Sequence, residues 1–436
     1  MKKTVKVGYI GVGRRGYNML KCALLKMKDV EIVAVCDLNQ ERLDASKEAF
    51  IEAGRKLPVF TTDYRELLRN EEIEGIFLFT NWNGRVKLAI ESMKCGKYTA
   101  MEVGAANTLE ECFELVKTYE ETKVPVMMLE NICYGKFELT ALNMVKKGLF
   151  GEIVHCAGGY CHYLNEVELF KEMTKLEPKS DKVTHYRLKH YIDNNCENYP
   201  THELGPISKI LGINRGNRML TLSSFASKAR GLKTYAKKTF GEDSEYAKID
   251  YKQGDIVNTV ITCAGGETIL LTLDTTLPRP FYSRQFTVRG TEGMCYEDGK
   301  VFFLDTMEEK IRDNFDEMFK EHAHPLSREV DTLQNENTNL QDTFGLHGNG
   351  VDWMIFRAFI ESIKNKTNTP IDAYDTAAWL AIGPLSKKSI ENGGAPVDVP
   401  DFTDGKWQNR EPVVRSKYCL DEIVEDDSIG IYDSIH

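Results

Sequence analysis

The stretch TVKVGYIGVGRRG, residues 4–16, decides the fold of this chain. A mostly apolar run leads directly into Gly11, Gly13 and Gly16, whose spacing is G-x-G-x-x-G. The first of these glycines permits a tight turn, the second lets a phosphate approach the backbone, and the third lets a helix pack closely on the strand. We therefore predict a β-strand, a phosphate-binding turn and a helix whose N-terminus faces the phosphate.

A carboxylate follows the next apolar run at the distance that a dinucleotide site requires. EIVAVCD, residues 31–37, ends in Asp37, about 20 residues beyond the glycines. A carboxylate at the end of this strand accepts hydrogen bonds from ribose hydroxyl groups and repels a 2′-phosphate. The two signals together predict NAD as the cofactor, whereas the glycines alone would also suit a turn in another α/β fold.

The first part of the chain alternates short apolar runs with helical patterns. The runs are mostly apolar instead of alternating, which is typical of parallel strands buried on both faces. Further strands are expected at 73–79, 98–103 and 125–131, with helices at 39–53, 84–96 and 107–122. This βαβ pattern predicts an α/β fold, in which residues 1–134 form an NAD-binding Rossmann domain with a doubly wound parallel sheet.

Beyond residue 134 the pattern changes to strand-like runs with few helices. Strands are expected at 219–228, 255–264, 267–276, 284–290 and 300–305, and helices at 137–148, 350–365 and 374–392. We predict that residues 135–411 form an α+β domain for substrate binding and oligomerisation, with a large, mostly antiparallel sheet. Residues 412–436 are acidic and weakly patterned, which indicates a surface tail or an arm that reaches a neighbouring chain.

The composition excludes several classes of partner. A net charge of −10 over 436 residues argues against nucleic acid or an anionic membrane, and no apolar run approaches the length of a membrane span. The eleven cysteines are scattered without a C-x-x-C pair, which suits a reducing compartment. The first strand follows the N-terminus without room for a signal peptide, so we expect a cytoplasmic protein. An exposed face on the second sheet would favour a homo-oligomer, either a dimer or a tetramer.

Polar and aromatic side chains follow three of the predicted parallel strands. Trp82 lies in the loop after the third strand, Glu102 ends the next one, and Asn131 ends the one after that. The carboxyl ends of such strands form one edge of the sheet, where ligands bind. We expect these three residues to line the cofactor cleft, although Trp82 could equally be a loop tryptophan that packs on a helix.

The order of a Rossmann domain and an antiparallel α/β domain resembles the Gfo/Idh/MocA oxidoreductases. The sequence is similar to one group among them, glycoside hydrolase family 109, in five longer stretches: EVGAA (102–106), LENICYGKFELTALNMVKKGLFGEIVHCAGGY (129–160), YPTHELGPISKILGINRG (199–216), TTLPRPFYSRQFTVRGTEG (275–293) and PIDAYDTAAWLAIGPLSKKSI (370–390). In most of the wider superfamily a lysine stands at the position of Val103, and that lysine takes part in dehydrogenase chemistry.

The resemblance implies which residues bind NAD and which bind a sugar. Beside Gly11, Gly13 and Gly16, it implies NAD contacts from Arg15, Asp37, Trp82, Arg85, Glu102, Val103, Asn131, Tyr199, Pro200, Thr201 and His202. It implies sugar contacts from Tyr160, Arg187, Tyr199 and Tyr282. The chain departs from family 109 at Arg85, Gly104 and Glu203, where a histidine, a proline and a glycine are usual. The departures at Arg85 and Glu203 predict a changed sugar preference.

The resemblance also implies a redox route for the hydrolysis of a small-molecule glycoside, namely a terminal N-acetylhexosaminide and first of all an N-acetylgalactosaminide. The sugar is oxidised transiently at C3, which acidifies the hydrogen on C2. Deprotonation at C2 expels the C1 substituent, water adds to the double bond, and C3 is reduced again. No metal is needed for this route, and the histidine spacings resemble no closed zinc site.

Candidate catalytic residues can be assigned to the steps of this route. Oxidation at C3 needs a base on the hydroxyl group, and our candidate is His202, with Tyr199 beside it. The alternative is that His202 caps the helix that follows. Tyr282 is the candidate base at C2, unless it is an aromatic residue on a sheet face. His347, in a glycine-flanked loop, is a weaker candidate for assisting the leaving group or the water.

Arg187 is the candidate for holding the sugar substituents. A guanidinium group can donate charge-assisted hydrogen bonds to an N-acetyl carbonyl or to a ring hydroxyl. A surface salt bridge is the alternative for this residue.

Two other functions compete with a redox glycosidase. One is an NAD-dependent sugar or polyol dehydrogenase of the Gfo/Idh/MocA type, against which the Val103 position counts. The other is a non-catalytic regulator that binds NAD or a sugar, against which the presence of His202 and Tyr282 counts.

Overall fold

A computed structural model of the chain describes residues 4–165, 169, 186–307, 313–328, 350–412 and 416–424. The strands form two sheets, one built from the first part of the chain and the other from the remainder. Among the described residues, no helix is both long enough and apolar enough to span a bilayer.

The first sheet has six parallel strands, as the apolar runs predict. They are β1 (Val5–Ile10), β2 (Val30–Cys36), β3 (Val59–Thr61), β4 (Gly75–Leu78), β5 (Tyr98–Met101) and β6 (Val126–Met128). The order β3-β2-β1-β4-β5-β6 reverses direction at β1, which confirms the doubly wound Rossmann architecture. The connecting helices are α1 (Arg14–Cys22), α2 (Gln40–Glu52), α3 (Tyr64–Arg69), α4 (Arg85–Lys94) and α5 (Leu109–Thr122). The sequence analysis missed β3, because three residues at the sheet edge give no apolar run.

The second sheet has eight strands in the order β13-β12-β11-β7-β10-β9-β8-β14. They are β7 (Ile153–Cys161), β8 (Met219–Ala226), β9 (Ile256–Cys263), β10 (Thr268–Asp274), β11 (Thr287–Gly290), β12 (Gly293–Tyr296), β13 (Val301–Leu304) and β14 (Val397–Asp398). β7 and β10 pair in parallel, whereas the other pairs are antiparallel. The prediction of a mostly antiparallel sheet is confirmed.

The helices of this part pack mainly on one face of the second sheet, α8 on β7 and α14 on β8. The helices are α6 (Lys136–Lys146), α7 (Tyr186–Asp193), α8 (Thr201–Leu211), α9 (Gly231–Phe240), α10 (Glu245–Lys248), α11 (Phe315–His322), α12 (Val351–Asn365), α13 (Ala373–Leu380) and α14 (Ile382–Glu391). The single helix expected at 374–392 is divided at Ala381 into α13 and α14.

Helix α12 belongs to the later part of the chain but packs against the first sheet. Phe356 and Phe359 on this helix meet Phe77 of β4 edge-on, with ring centroids 5.2 and 5.0 Å apart. Such aromatic pairs add to the burial of their apolar area. The packing brings the start of α12 to the carboxyl edge of the parallel sheet.

The prediction of a surface tail at 412–436 is wrong for the part that the structure describes. Tyr418, Cys419 and Leu420 are buried, and the Tyr134 hydroxyl donates to the Tyr418 carbonyl at 2.9 Å. Asp421 follows and forms ion pairs with two buried cations. Asp421 therefore has its partners inside the protein and not in solvent.

A buried charge network anchors this segment. Asp421 contacts Lys209 Nζ at 3.2 Å and Arg215 Nε at 2.8 Å, and the same two cations contact Asp375 at 2.7 and 3.0 Å. Asp372 adds a further contact to Arg215. Because an isolated charge is costly to bury, each member of such a network depends on the others.

We expect Asp421→Ala to destabilise the protein, since it removes one carboxylate from two buried cations. Removal of one partner from a buried pair typically costs about 3 kcal/mol or more. Chemical denaturation followed by circular dichroism would measure the loss. Asp243→Ala is the matched control, because Asp243 lies on the surface beside Lys248. Equal midpoints for the two variants would contradict the anchoring role of Asp421.

Candidate active site

The glycine turn after β1 has the shape that a pyrophosphate requires. Gly11 has a φ of +96°, and a Cβ atom there would lie 2.6 Å from the Phe79 carbonyl oxygen. A Cβ atom on Gly16 would lie 2.1 Å from the Gly11 oxygen, so this helix can approach the strand only at a glycine. Gly13 differs, because a Cβ atom there would meet nothing closer than the Arg42 guanidinium at 3.6 Å. The space beside the Cα atom of Gly13 is therefore open.

The groups around this turn fit a dinucleotide. Gly13 directly precedes α1, and no side chain caps the helix, so its first amide groups can face a phosphate. Asp37 is the first residue after β2, where it accepts hydrogen bonds from Val12 N at 2.8 Å and from Asn39 N at 2.9 Å. These bonds hold its carboxylate beside the turn, in the position that ribose recognition needs.

Arg85 ties together the loops that follow β4 and β5. Its guanidinium group donates to the Thr80 carbonyl at 3.1 Å and to the carbonyls of Glu102 and Val103 at 2.6 and 2.5 Å. Burial lowers the pKa of Arg85 because the charged form loses water. The direct contact between Arg85 and NAD that the resemblance implies remains a prediction. The hydrogen bonds that Arg85 does form fix the backbone of the two loops that border the cofactor cleft.

Trp82 is buried between the cofactor loops and α7. Its ring meets Tyr186 and His190 edge-on, with centroids 5.5 and 5.2 Å away, and lies 6.2 Å from the ring of Tyr199. The tryptophan therefore does pack on a helix, and it also borders the site. Gly104 makes room for it.

The glycine at position 104 follows from this packing. Gly104 has a φ of +149°, and a Cβ atom there would lie 2.3 Å from Trp82 Nε1. A proline fixes φ near −65° and carries a ring, so it fits neither the backbone nor the space. The glycine that stands here in place of the family's usual proline therefore leaves room for the ring of Trp82.

Two of the predicted cofactor residues, Arg15 and Asn131, share one partner that was not predicted. Asp352, fully buried at the start of α12, accepts from Arg15 Nη2 at 2.6 Å and from Asn131 Nδ2 at 2.8 Å. Arg15 Nε also contacts Glu102 at 3.2 Å. Burial opposes the charge on Arg15, but Asp352 and Glu102 outweigh it and raise the pKa of this guanidinium. No sequence pattern predicts these contacts, because Asp352 lies 337 residues from Arg15 and 221 residues from Asn131 along the chain.

His202 occupies the second position of α8 and points to a carboxylate. Its Nδ1 lies 2.7 Å from Oε1 of Glu130, which follows β6 at the carboxyl edge of the parallel sheet. Pro200 occupies the N-cap position, and no side chain caps the helix. The alternative that His202 is a helix cap is therefore wrong. Thr201, between Pro200 and His202, is buried.

Gly205 lets the histidine and the glutamate meet. A Cβ atom on Gly205 would lie 2.8 Å from Glu130 Cγ and 2.9 Å from Cys133 Sγ. Any larger residue would push α8 away from the loop that carries Glu130. The sequence analysis did not single out Glu130, although it stands between Leu129 and the predicted Asn131.

The residues expected to bind the sugar form one aromatic cluster with His202. Tyr160 and Tyr199 are stacked with ring centroids 4.1 Å apart, and His202 meets them edge-on at 5.6 and 5.0 Å. Tyr282 lies 6.1 Å from Tyr160. The Arg187 guanidinium lies over Tyr199 at 4.9 Å. Residues from β7, α7, α8 and the loop before β11 thus meet at one place.

Tyr282 belongs to a loop and not to a sheet face. It lies between β10 and β11, is 41% exposed, and is followed by Ser283, whose backbone pairs with that of Cys161 at the end of β7. His162, which was not predicted, packs on Tyr282 with ring centroids 5.2 Å apart and also lies 5.9 Å from Tyr160. The alternative of a sheet-face aromatic is wrong.

Two further predicted residues have different outcomes. Arg187 is buried and lies against aromatic rings, 5.1 Å over that of Trp82, so the alternative of a surface salt bridge is wrong. His347 lies outside the described residues.

Two buried glutamates flank this cluster. Burial raises the pKa of Glu197 to about 8, although Tyr199 N donates to it at 3.2 Å. Burial also raises the pKa of Glu203 well above its usual range. Glu203 packs closely on β7, because a Cβ atom added to Gly158 would lie only 2.5 Å from the Cβ atom of Glu203. In both acids burial therefore favours the neutral form over the carboxylate.

Comparisons with known proteins agree with this geometry. Residues 134–409 match the family model "Glycosyl hydrolase 109, C-terminal domain", and residues 5–130 match "Oxidoreductase family, NAD-binding Rossmann fold". An alpha-N-acetylgalactosaminidase of Tannerella forsythia is 38% identical over 423 residues, which cover 94% of this chain and 88% of the relative. A glycosyl hydrolase family 109 protein of Parabacteroides distasonis is 38% identical over 425 residues, with 94% and 89% covered.

Solved structures share the fold at low sequence identity. Levoglucosan dehydrogenase in complex with NADH and levoglucosan has a TM-score of 0.63 and 15% identity, covering 91% of this chain and all of that one. An inositol dehydrogenase homolog from Azotobacter vinelandii, complexed with NADH and myo-inositol, has a TM-score of 0.62 and 16% identity, covering 91% and 98%.

The family match covers most of the chain, and the relatives match nearly from end to end. The cofactor turn fits the matched Rossmann model, and the aromatic cluster lies within the matched C-terminal domain. The chain therefore belongs to glycosyl hydrolase family 109 and is an NAD-dependent glycosidase.

Proposed function

We propose that the protein releases terminal N-acetylhexosamine residues, N-acetylgalactosamine first among them, from small glycosides by transient oxidation at C3. The observation that carries the proposal is the contact between His202 and Glu130 at the edge of the sheet that holds the cofactor turn, which supports a histidine base there. The names of the relatives support the choice of sugar.

When bound, NAD+ supplies a hydride acceptor for C3 of the sugar and later returns the hydride. Arg15, Asp37, Glu102 and Asn131 would hold it in the cleft. The protein's own task in this step is to move the proton of the C3 hydroxyl group. Glu130 occupies Nδ1 of His202, which leaves Nε2 as the ring nitrogen that accepts this proton.

The second proton to be moved lies on C2. Tyr282 stands 6.1 Å from Tyr160 in the loop before β11, whereas His202 lies on α8, so the two candidate bases belong to separate elements. We assign the removal and return of the C2 proton to Tyr282. Arg187, held against Tyr199 and Trp82, would donate to the N-acetyl carbonyl or to a ring hydroxyl.

Incubation with aryl N-acetylhexosaminides of both anomers tests this function. We expect phenol release without net formation of NADH, because the hydride returns to the same sugar. In deuterium oxide the freed monosaccharide should carry deuterium at C2, since the proton there exchanges during the reaction. Steady accumulation of NADH would instead identify a sugar or polyol dehydrogenase. Absence of both signals with every anomer would favour a binding regulator.

Substitutions at His202 and Glu130 test the assignment of the base. His202→Ala should lower kcat by roughly 100- to 10,000-fold, the range typical of a lost general base, while NAD stays bound. Glu130→Gln keeps an oxygen acceptor for the ring nitrogen but no longer stabilises the charged imidazolium. We expect kcat to fall by about tenfold with KM little changed, because a hydrogen bond to a charged group is replaced by a neutral one.

Two further measurements complete this test. Cofactor content after denaturation would establish that both variants still hold NAD. A larger isotope effect from deuterium at C3 in Glu130→Gln would place the damage at the oxidation step. Wild-type kcat in His202→Ala would remove this residue from the mechanism.

We also propose that the protein acts as a homo-oligomer through the open face of the second sheet. Phe225 on β8 is 58% exposed and Val260 on β9 is 42% exposed, on the face opposite the helices. Leu270 is the cross-strand neighbour of Val260 on β10. Apolar side chains gathered on one open sheet are typical of an interaction surface.

We expect Val260→Asp to shift the protein towards monomer, because a charge on the open face must lose water when the sheet is covered. Sedimentation velocity at several concentrations would measure the shift. Val59→Asp is the matched control, since Val59 is 56% exposed at the edge of the first sheet. The same oligomer in both variants would place the interface elsewhere.

We assign the protein to the cytoplasm on the state of its cysteines. All eleven are free thiols, most of them buried. Buried thiols without disulfides are typical of proteins that work in a reducing compartment. Small imported glycosides are the substrates that such a location would offer.

A further inference from the structure

The segment that carries Tyr282 pairs with the end of β7, and this pairing fixes the direction of its side chains. The backbones of Ser283 and Cys161 exchange two hydrogen bonds, each 3.1 Å long. Gly159 N donates to the Arg284 carbonyl at 2.5 Å. Successive side chains along a paired, extended segment point to opposite faces. Tyr282 and Arg284, on either side of Ser283, therefore leave the backbone on the same face.

The aromatic cluster lies on that face. Tyr160 and His162 stand on either side of Cys161, and the centroids of their rings lie 6.1 and 5.2 Å from that of Tyr282. Because the pairing is antiparallel, His162 stands opposite Tyr282 and Tyr160 stands opposite Arg284. The side chain of Arg284 therefore begins directly beside the candidate sugar site.

Arg284 is a mostly buried cation held between two carboxylates. Its Nη2 donates to Oε1 of Glu138, on the first turn of α6, at 2.6 Å, and it also contacts Glu297 in the turn after β12. Asp298, next to Glu297, accepts a hydrogen bond from the Ser283 hydroxyl at 2.8 Å. The turn after β12 thus holds the segment through two neighbouring acids, and α6 holds it through a third.

The charge of Arg284 bears on the ionisation of Tyr282. Burial raises the pKa of the Tyr282 phenol well above its usual range, and Glu203 and Glu297 act in the same direction, whereas Arg284 lowers it. Burial also opposes the charge on Arg284, but Glu138 and Glu297 outweigh it and raise the pKa of this guanidinium. Arg284 therefore stays charged and favours the phenolate form of Tyr282.

A phenolate is the form of Tyr282 that can accept a proton from C2. The proton moves to the phenolate oxygen, its electron pair forms the C1–C2 double bond, and the C1 substituent leaves with the electrons of its own bond. We propose that Arg284 is a positioning residue for this step, which holds the Tyr282 segment against α6 and places a fixed positive charge on the face of the phenol. The inference rests on the proposed function, because it takes Tyr282 as the base at C2.

Arg284→Gln tests this role at the C2 step. We expect kcat to fall by roughly 10- to 100-fold with KM little changed, since an opposite charge nearby typically shifts a pKa by about one to three units. The isotope effect from deuterium at C2 should rise, whereas that from C3 should not. Arg289→Gln is the matched control, because Arg289 is exposed on β11. Wild-type kcat in Arg284→Gln, or a rise at C3 in place of C2, would overturn the proposal.

A more acidic phenol separates this electrostatic role from a purely structural one. With 3,5-difluorotyrosine at position 282, which ionises more readily than tyrosine, Arg284→Gln should recover most of its lost kcat. Damage to the fold alone would not be repaired in this way. Arg284→Lys keeps the charge and should lose less kcat than Arg284→Gln. Absence of recovery with the fluorinated residue, together with equal losses in the two variants, would contradict the assignment.

A double variant decides the matter if Arg284→Gln folds poorly. Glu138→Gln with Arg284→Gln removes both charges from the contact with α6, so neither is left buried without its partner. We expect this protein to remain slow in taking up solvent deuterium at C2, and wild-type uptake would overturn the proposal. Failure of the proposed function looks different, since the wild-type protein would then release no phenol from any anomer.

Discussion

The hydrogen bond between Glu130 and His202 is the contact on which the site depends. It joins a carboxylate at the edge of the parallel sheet to the first turn of a helix that packs on the other sheet. Both residues are held in place. Glu130 also accepts a hydrogen bond from Ile132 N, and α8, which carries His202, packs closely on Glu130 at Gly205. The cofactor cleft and the aromatic cluster therefore keep a fixed relation to each other, as hydride transfer between cofactor and sugar requires.

Local patterns were enough to predict the cofactor half of the fold. The glycine turn and Asp37 lie within one βαβ unit, where backbone geometry dictates residue type at a fixed spacing. The apolar runs likewise predicted five of the six parallel strands. The residues of the aromatic cluster, Tyr160, Arg187, Tyr199 and Tyr282, were found through the resemblance to a family, because no spacing rule connects one strand, one helix and two loops.

What the sequence could not reveal are partners that only tertiary packing brings together. Asp352 orders Arg15 and Asn131 from a helix that crosses over to the first sheet. Gly104 and Trp82 are matched through one close approach, and Gly158 and Glu203 through another. In each pair either residue alone looks ordinary, since an aspartate or a glycine on a helix or strand has no local signature of its partner.

The charge network around Asp421 affects the order in which parts of the structure form during synthesis. Lys209 lies 212 positions before Asp421, so two cations of the second domain are synthesised long before this carboxylate. Domains usually begin to fold as they emerge, N-terminal part first. Here the interior around α8 can form its full set of ion pairs only after Asp421 has been synthesised, so this network is completed late in folding.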